Sequence, residues 1–415
     1  MVSVTEICER AANVAPRVAG LTSAVKDAAL RSMADALEAN AEVLQGANAE
    51  DVAAAESGGT SRTLIDRLTL TGSRVASMTE ALRAVAAQPD PVGEVVEGWT
   101  RPNGLQIHKV RAPLGVVAVI YEARPNVTAD VAGLCLKSGN AAVLRGSSIA
   151  LRSNRAIVDV LNEAAAAASV PSEAIQLIED TSRDSAQELM RAKGLVDLLV
   201  PRGGRALIEA IERDATVPYI IDGDGNCHVY VDRAADPEMA TKIVVNAKTQ
   251  RPSVCNAAET LLVHEEIASK WLPSALDALS SLGVEIRGDE RTRQLWAGAE
   301  PATEEDWGME YLDLVIAVRV VDSLADAIAH VNRHGTSNAD AVVTEDLSAA
   351  RRFVQEVDSG TVFVNASTRF SDGGEFGYGA EIGISTQKLH ARGPMGLREL
   401  TACKYVVWGA GQIRE

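Results

Sequence analysis

Strand-length apolar runs alternate with helical segments after Gly115, and this alternation limits the fold more than any other feature of the sequence. The runs are rich in β-branched residues, a pattern typical of parallel sheets covered by helices on both faces. In the first series the predicted strands are Val116–Ile120, Ala141–Leu144, Ile175–Ile178, Val196–Val200, Val217–Ile221 and Val229–Val231. After Pro237 the alternation starts again, with predicted strands at 260–263, near 284, and at 314–320, 340–343 and 361–364. We therefore expect an α/β protein with two parallel-sheet domains.

The segments outside this alternation have simpler patterns. Residues 3–88 are rich in Ala, Leu and Glu and have helical periodicity. Two apolar runs between Gly93 and Val110 flank the turn signal Arg101-Pro-Asn-Gly104, which predicts a β-hairpin. The tail Glu399–Trp408 is strand-like and could pair with this hairpin. Strands of this kind would leave unpaired edges in a monomer, so we expect self-association.

Composition excludes several classes of partner. The formal net charge of −17 over 415 residues repels polyanions, so we expect neither nucleic acid nor an anionic membrane surface as a partner. The longest apolar runs, such as Gly115–Ile120, are too short to cross a bilayer, and the N-terminus lacks the pattern of a signal peptide. The five cysteines are odd in number and have no C-x-x-C spacing, which indicates a reducing compartment. We therefore expect a cytoplasmic protein.

One thiol lies in a short polar turn between a helical run and an apolar strand, in the sequence Gln250-Arg-Pro-Ser-Val-Cys-Asn256. Arg251 and Lys248 bring positive charge close to Cys255, which favours the thiolate, the form that attacks a carbonyl carbon. Cys255 is therefore a candidate nucleophile. The alternative is a small buried hydrophobe, the role that most free cysteines have.

Three short motifs are weaker signals than they first suggest. Gly223-Asp-Gly225 precedes a strand and Gly409-Ala-Gly411 lies at the end of the chain, so neither matches the dinucleotide-binding fingerprint. His330 and His334 have a zinc-like spacing, but no glutamate lies between them and no third ligand is evident. Histidines near a helix C-terminus more often interact favourably with the helix dipole. We therefore predict no metal site.

Four longer motifs follow one another along the chain: Val110–Asn126, Ser138–Gly146, Gln250–Asn256 and Phe363–Gly379. Together they resemble the gamma-glutamyl phosphate reductase family of the aldehyde dehydrogenase superfamily, and the resemblance covers nearly the whole chain. It implies an aldehyde-dehydrogenase-like α/β fold with two Rossmann-like parallel-sheet domains and a small β oligomerisation element. It also implies NADPH-dependent reduction of L-glutamyl 5-phosphate to L-glutamate 5-semialdehyde and phosphate, the second step of proline biosynthesis. A homo-oligomer, dimer or tetramer, and a functional link to glutamate 5-kinase are further implications.

The resemblance also divides the chain into functional domains. It assigns residues 1–93 and 111–233, completed by part of 365–396, to a cofactor-binding domain, 234–364 to a catalytic domain, and 94–110 with 397–415 to an oligomerisation hairpin and tail.

Two catalytic roles follow from the resemblance. It implies that Cys255 forms a thioester with the substrate and that Asn126 donates to the developing oxyanion. Asn126 could instead cap the helix starting near Val127, a role that asparagine fills well. The hydrolytic members of the superfamily use a glutamate to activate water, whereas this chain reads Ile221-Asp-Gly-Asp-Gly-Asn226 at that place. The difference suits a reductase, in which water would compete with hydride. A hydrolytic dehydrogenase of another aldehyde and a non-catalytic scaffold of the same fold are the alternatives.

Three arginines, Arg124, Arg251 and Arg369, lie in motifs that should converge on Cys255. Guanidinium groups bind two phosphate oxygens at once, so we expect these arginines to bind the substrate and its phosphate. One or more of them could instead form ordinary surface ion pairs. The family commonly has a histidine near residues 337–341, whereas this chain has Asn338. No role of that histidine is therefore carried over to this chain.

Seven further residues are expected by resemblance to bind the cofactor, NADP(H): Arg145, Gly146, Ser147, Pro201, Gly203, Gly204 and Glu310. The first three occupy a loop that contacts the adenine-side ribose, where an arginine fits a 2′-phosphate. The next three precede a helix whose N-terminus would face the pyrophosphate. Glu310 matches a glutamate that holds the nicotinamide ribose. Each of these segments could equally be an ordinary turn.

Overall fold

The computed structural model describes residues 2–414, apart from the side chain of Thr63, and divides them into two compact units. Unit 1 consists of residues 2–221, Gly377–Gly383 and 395–414, and unit 2 of Asp222–Phe376 and Ile384–Pro394. None of the helices in this part of the chain has the length and apolar character needed to cross a bilayer.

The helices of unit 1 include the predicted helical region near the N-terminus. They are α1 (Val4–Ala19), α2 (Ser23–Ala39), α3 (Ala41–Ser57), α4 (Arg62–Leu68), α5 (Gly72–Ala87), α6 (Asn126–Lys137), α7 (Leu151–Ala167), α8 (Arg183–Met190) and α9 (Arg205–Asp214). Four of the first five begin after a hydroxyl side chain that accepts a hydrogen bond from the first turn, at Ser3, Thr22, Ser61 and Thr71. Such caps satisfy backbone N–H groups that have no partner within the helix.

The strands of unit 1 that precede the second unit are β1 (Val95–Thr100), β2 (Gln106–Pro113), β3 (Val116–Tyr121), β4 (Ala141–Gly146), β5 (Ile175–Leu177) and β6 (Leu198–Arg202). The last four form a parallel sheet with the order β5-β4-β3-β6. The chain moves outward from β3 to β5 and then returns to the other side of β3. Loops at the carboxyl ends of strands diverge at such a reversal, which is where α/β sheets commonly bind ligands.

Unit 2 contains a second parallel sheet. Its helices are α10 (Pro237–Thr249), α11 (Glu265–Ser281), α12 (Glu290–Leu295), α13 (Leu324–His334) and α14 (Leu347–Glu356). Its strands are β7 (Cys227–Val231), β8 (Ala258–His264), β9 (Glu285–Gly288), β10 (Glu300–Pro301), β11 (Val315–Val321), β12 (Ala339–Val343), β13 (Thr361–Val364) and the short pair β14 (Ile384–Ser385) and β15 (Gly393–Pro394). The order in the seven-stranded sheet is β10-β9-β11-β8-β7-β12-β13, and the neighbouring strands are parallel.

The second unit begins earlier than the domain boundary that the sequence suggested. The run Val217–Ile221, predicted as a strand, contributes only an isolated bridge from Tyr219 to Leu199. The strand at 229–231, which the sequence placed in the first series, belongs to the second sheet, where β7 pairs with β8 and β12. Because its partners lie in unit 2, the chain changes unit after Ile221 instead of after residue 233.

A separate three-stranded sheet in unit 1 has the order β1-β2-β16, where β16 is Thr401–Trp408. β1 and β2 form the predicted hairpin, and β16 pairs antiparallel with β2 from Thr401 opposite Pro113 to Trp408 opposite Gln106. The predicted pairing of the tail with the hairpin is therefore confirmed. The exposed apolar side chains of this sheet are Val95, Val96, Trp99, Tyr405, Val407 and Trp408.

Candidate functional site

Cys255 lies in the turn between the end of α10 and the start of β8, as the sequence predicted, and its side chain is half-buried. Three other cysteines, Cys8, Cys135 and Cys227, are buried. Burial raises the pKa of the Cys8 and Cys135 thiols to about 12, which keeps them protonated at neutral pH. The position of Cys255 in a polar, partly accessible turn therefore fits a reactive thiol better than a buried hydrophobe.

The segment that precedes β7 packs directly against the Cys255 turn. A Cβ atom added at Gly225 would lie 1.8 Å from the carbonyl oxygen of Cys255 and 2.4 Å from its Cα atom. The Cys227 thiol donates to the same carbonyl oxygen, with its Sγ atom 3.2 Å away. Burial, together with the charge of Asp340, raises the pKa of Cys227 well above its usual value, so the thiol stays a donor. The sequence did not predict either contact, because each joins segments that lie 28 or more positions apart.

Arg251 and Arg369 lie in the same electrostatic environment as Cys255. Arg369 is half-buried, and its Nε donates to the side-chain oxygen of Gln250 at 2.9 Å. Burial lowers the pKa of Arg369 and the positive charge of Arg251 lowers it further, whereas the negative charges of Asp372 and of the Cys255 thiolate raise it. Two of the three predicted arginines therefore accompany the thiol, and an anionic group near Cys255 would relieve their mutual repulsion.

The loop that carries Arg369 is also hydrogen-bonded to the Cys255 turn. The Thr368 hydroxyl donates to the carbonyl oxygen of Asn256 at 2.8 Å, and the side-chain amide of Asn256 donates to the carbonyl oxygen of Ser371 at 2.9 Å. These bonds are buried, so they hold the two loops in one register.

Lys248 does not have the role that the sequence suggested. Its ammonium group is fully buried and lies 2.5 Å from the carboxylate of Glu259, which is equally buried. The positive charge of Lys248 is therefore balanced by Glu259 and adds little net charge to the surroundings of the thiol.

Glu310 lies close to the same turn. Its Oε1 atom accepts a hydrogen bond from the Gly225 N–H at 2.8 Å, and Gly225 in turn lies against the backbone of Cys255. The structure thus places Glu310 beside the Cys255 turn in unit 2, whereas its expected contact with a nicotinamide ribose stays a prediction.

The remaining candidates lie in unit 1, at the carboxyl edge of the four-stranded sheet. Arg124 and Asn126 follow β3, and α6 begins at Asn126. Pro125 occupies the N-cap position, and the helix start has no side-chain cap, so the alternative in which Asn126 caps the helix is wrong.

The side-chain amide of Asn126 has a fixed orientation. It donates to Oδ2 of Asp130, one turn along α6, at 3.0 Å. Burial raises the pKa of Asp130 to about 6, although the bond from Asn126 and the charge of Arg202 lower it. An amide nitrogen carries two hydrogens, so a second N–H bond is still available for a developing oxyanion.

The segment at the end of β4 is held mainly by contacts within the protein. The Arg145 guanidinium donates through Nη2 to the carbonyl oxygens of Thr181 and Ser182, both at 2.7 Å. Burial lowers the pKa of Arg145, and the charges of Asp180 and Glu122 oppose that shift. A Cβ atom at Gly146 would lie 2.0 Å from the Asn154 side-chain nitrogen, so a larger residue here would displace the Asn154 side chain.

The neighbouring Ser147 accepts a hydrogen bond at its Oγ from the Ala123 N–H at 3.3 Å. This contact connects the ends of β3 and β4, next to the loop that carries Arg124.

The start of α9 binds a carboxylate from its own chain. Pro201 lies in β6, and Gly203 and Gly204 lead into the helix, with Gly204 at the N-cap. The Gly204 N–H donates to Oε2 of Glu122 at 3.1 Å, and a Cβ atom at Gly203 would lie 2.9 Å from that carboxylate. The helix start therefore has the geometry and polarity to receive an anionic group. Sequence reasoning missed Glu122.

The two histidines of α13 are packed as neutral side chains. Their ring centroids are 4.6 Å apart, and burial lowers the pKa of both His330 and His334. A neutral imidazole has little interaction with the helix dipole, so the dipole interpretation of these residues is wrong. Among residues 2–414, no group of three or more His, Cys, Asp or Glu side chains is arranged to hold a metal ion. Asn338 is buried just before β12.

Comparison with known proteins gives a consistent result. The model of the aldehyde dehydrogenase family matches residues 2–299 and 310–406. The gamma-glutamyl phosphate reductase of Thermobifida fusca is 56% identical over 411 residues, which cover 99% of this chain and 98% of the relative. That of Moorella thermoacetica is 57% identical over 407 residues, or 98% of this chain and 97% of the relative. The crystal structure of gamma-glutamyl phosphate reductase from Thermotoga maritima has a TM-score of 0.96 and 45% identity and covers 100% of both chains.

Proposed function

The chain belongs to the aldehyde dehydrogenase family. From its similarity to gamma-glutamyl phosphate reductases over nearly its whole length, we propose that it reduces L-glutamyl 5-phosphate to L-glutamate 5-semialdehyde and phosphate, the second step of proline biosynthesis. It is an oxidoreductase of the glutamate-5-semialdehyde dehydrogenase type that acts on a small-molecule substrate, and its family implies the use of NAD(P). The observation that carries the proposal is the half-buried Cys255 thiol in a turn that carries Arg251 and is hydrogen-bonded to the loop that carries Arg369.

The first chemical step is acyl transfer to Cys255. The thiolate attacks the acyl carbon of glutamyl phosphate, a carbon–sulfur bond forms, and the bond from that carbon to the phosphate oxygen breaks. Arg251 and Arg369 stabilise the departing phosphate, since their guanidinium groups match phosphate oxygens in charge and geometry. Asn126 donates its remaining N–H to the oxyanion, a contribution of about 3 kcal/mol to the barrier for comparable donors. Arg124 binds another anionic group of the substrate.

The second step regenerates the thiol. A nicotinamide cofactor, when bound, would supply the hydride that reduces the thioester carbon. Cys255 would then leave that carbon as the thiolate when the carbon–sulfur bond breaks, and the aldehyde would be released. The hydrogen bond from Cys227 and the close contact of Gly225 keep the Cys255 backbone in place throughout. The segment 221–226 carries no glutamate, so it lacks the residue that activates water in the hydrolytic members of the superfamily.

A Cys255→Ser variant tests the nucleophile. We expect it to abolish phosphate-dependent oxidation of glutamate semialdehyde with NADP while leaving the melting temperature unchanged, because an alcohol is a far weaker nucleophile than a thiolate. Cys403→Ser, at an exposed position in β16, is the matched control and should retain activity. In the wild type, omission of phosphate should leave little product. Near wild-type turnover in Cys255→Ser would refute the role, and vigorous turnover without phosphate would indicate a hydrolytic dehydrogenase.

Thiol alkylation separates an enzyme from a non-catalytic scaffold of the same fold. Iodoacetamide should modify Cys255 much faster than the other four cysteines, and glutamate semialdehyde should slow the reaction. Equal, slow modification of all accessible thiols would favour the scaffold.

NADP(H) is proposed as the preferred cofactor on the basis of Arg145. The residues fit a dinucleotide: Gly204 leaves open space at the start of α9, where its N–H already binds a carboxylate, and Arg145 and Ser147 lie at the end of β4. Glu310 would hold the nicotinamide ribose and Pro201 would shape the loop. Arg145→Gln should raise the KM for NADPH about tenfold and that for NADH much less, whereas the surface control Arg155→Gln should change neither. An equal effect on both cofactors would remove the basis for the preference.

Self-association is proposed through the β1-β2-β16 sheet, and a second copy of this chain is the proposed occupant of its exposed apolar face. Trp99 and Tyr405 contact each other edge to face on this sheet, with centroids 6.3 Å apart. Tyr405→Glu should reduce the mass measured by light scattering to that of a monomer, whereas Val43→Glu, equally exposed on α3, should not. An unchanged mass in Tyr405→Glu would show that the copies do not associate through this sheet.

The cellular context follows from the chemistry. The substrate is an acyl phosphate, which a kinase must supply, and a functional link to glutamate 5-kinase is proposed on that ground. A thiol nucleophile must stay reduced, so the proposed location is the cytoplasm.

A further inference from the structure

A fully buried ion pair joins α10 and β8, the two elements that flank the Cys255 turn. Lys248 is the penultimate residue of α10 and Glu259 the second residue of β8, and their Nζ and Oε2 atoms are 2.5 Å apart at 0% exposure. Both charges have lost their hydration, so such a pair gives little net stability compared with apolar residues of similar volume. The free energy of unfolding alone therefore does not explain its presence.

The second oxygen of Glu259 binds a different segment. Oε1 accepts a hydrogen bond from the Leu312 N–H at 3.2 Å. Leu312 has a φ of +55°, a left-handed conformation that a leucine keeps only when its surroundings hold it there. The carboxylate of Glu259 therefore fixes the conformation of the segment 310–312 as well as the position of α10.

Lys248 contacts the same segment from the other side. Its ammonium group lies 5.9 Å from the ring centroid of Tyr311, within the range of a cation–π interaction. The Tyr311 hydroxyl donates to Asp306 at 2.7 Å, which orients the ring. The ion pair thus holds the segment 310–312 at two consecutive residues, Tyr311 and Leu312.

The first residue of that segment leads back to the nucleophile. Glu310 accepts a hydrogen bond from the Gly225 N–H, and the Cα atom of Gly225 lies against the backbone of Cys255. Contacts therefore run from Lys248 and Glu259 through the segment 310–312 to Gly225 and return to the Cys255 turn. All of these residues belong to unit 2.

We propose that Lys248 and Glu259 are positioning residues that hold Glu310 at a fixed separation from Cys255. The proposal rests on the proposed function, in which Glu310 binds the nicotinamide ribose and Cys255 carries the acyl group. Neither residue of the pair touches the reacting atoms. Loss of the connection to Leu312 should weaken cofactor binding and slow hydride transfer, and it should leave the reactivity of the thiol unchanged.

Two double variants isolate the contact with Leu312. Lys248→Met with Glu259→Gln and Lys248→Met with Glu259→Leu both replace the ion pair by neutral side chains of similar volume, which avoids an unpaired buried charge. Only the glutamine variant keeps an oxygen that can accept from the Leu312 N–H. The measurements are the Kd for NADPH by calorimetry, the single-turnover rate of hydride transfer, the rate of Cys255 alkylation by iodoacetamide and the melting temperature.

We expect the leucine variant to have a Kd for NADPH raised about tenfold and slower hydride transfer, with the alkylation rate of Cys255 within about twofold of the wild type. The glutamine variant should recover most of the loss. A leucine variant with wild-type affinity and hydride-transfer rate would overturn the proposal. A parallel loss of every property, including alkylation, in proportion to the melting temperature would also overturn it, since the pair would then be purely structural.

Leu312→Gly gives the answer if the double variants do not fold. Glycine adopts a φ of +55° without strain and also adopts others, so it loosens the segment without touching the buried pair. It should raise the Kd for NADPH and spare alkylation of Cys255; an unchanged Kd would reject the proposal. Phosphate-dependent turnover of the wild type is measured first, and its absence would reject the proposed function independently of the positioning role.

Discussion

Gly225→Ala is the most direct test of how closely the segment before β7 supports the backbone of Cys255, the proposed nucleophile. The added Cβ atom would lie 1.8 Å from the carbonyl oxygen of Cys255 and 2.4 Å from both its carbonyl carbon and its Cα atom. Non-bonded atoms of these types do not approach within 3.0 Å, and the obstacle is backbone, which cannot rotate away as a side chain can. The Cys255 turn must therefore retreat by more than about 1 Å, a displacement that can cost about 100-fold in rate when it misplaces a reacting group.

The assay combines turnover with thiol reactivity. Phosphate-dependent oxidation of glutamate semialdehyde should fall about 100-fold in Gly225→Ala, and overpacking should cost about 1–3 kcal/mol of unfolding free energy in urea titrations. Gly308→Ala is the matched control, because its added Cβ atom would meet nothing within 4 Å. Near wild-type turnover in a folded Gly225→Ala protein would refute the argument that Gly225 is required by close approach to Cys255.

Three further outcomes are expected. Cys227→Ala should lower kcat about threefold to tenfold by removing the donor to the Cys255 carbonyl oxygen, whereas Cys227→Ser keeps a donor and should lose less; equal losses would argue against the hydrogen bond. The folded pKa of Asp130 is raised to about 6, so its protonated form contributes stability that is fully present below about pH 4 and is lost as the pH rises through 6. Asp130→Asn should therefore be more stable than the wild type by about 1–3 kcal/mol at pH 7 but not at pH 4, and a pH-independent difference in urea titrations would contradict the assignment. Glu122→Gln removes the carboxylate that occupies the Gly204 N–H, so the Kd for NADPH should fall about twofold to fivefold; weaker binding would show that Glu122 supports the site instead of competing for it.

The missing hydrolytic glutamate has a structural counterpart. The segment 221–226, which lacks that residue, includes Gly225, whose N–H is bound by Glu310 and whose Cα atom contacts the Cys255 turn. The segment that would supply a water-activating base in the hydrolytic members of the superfamily thus packs here against the backbone of Cys255. This arrangement agrees with the proposed mechanism, in which water would compete with hydride for the thioester.

Local patterns predicted those parts of the site that depend on neighbouring residues. The turn around Cys255 was recognisable because an amphipathic helix ends and an apolar strand begins within a few residues of the thiol. The loops at Arg145 and at Gly203 and Gly204 were recognisable for the same reason, since buried strands end there. Motif resemblance then supplied candidate roles, including that of Asn126.

Contacts between distant segments were beyond such patterns. The thiol of Cys227 bonds to a residue 28 positions away, and Glu259 reaches a residue 53 positions away. Lys248 illustrates the consequence: its charge lies close to Cys255 in sequence, yet the fold pairs it with Glu259 in a fully buried site. A sequence shows that a charge is present but not which partner neutralises it.

The chain by itself determined an α/β protein with two parallel sheets, a hairpin with a paired tail, and a cysteine placed at a helix-to-strand turn, because these follow from periodicity and from the preferences of short segments. Only the tertiary structure decided that β7 belongs to the second sheet, that Gly225 and Cys227 support the Cys255 backbone, and that a buried ion pair connects the turn to Glu310. These features depend on which segments, far apart in the sequence, pack against each other and exclude water. The packing of the whole unit determines these contacts, and no single short segment of the sequence indicates them.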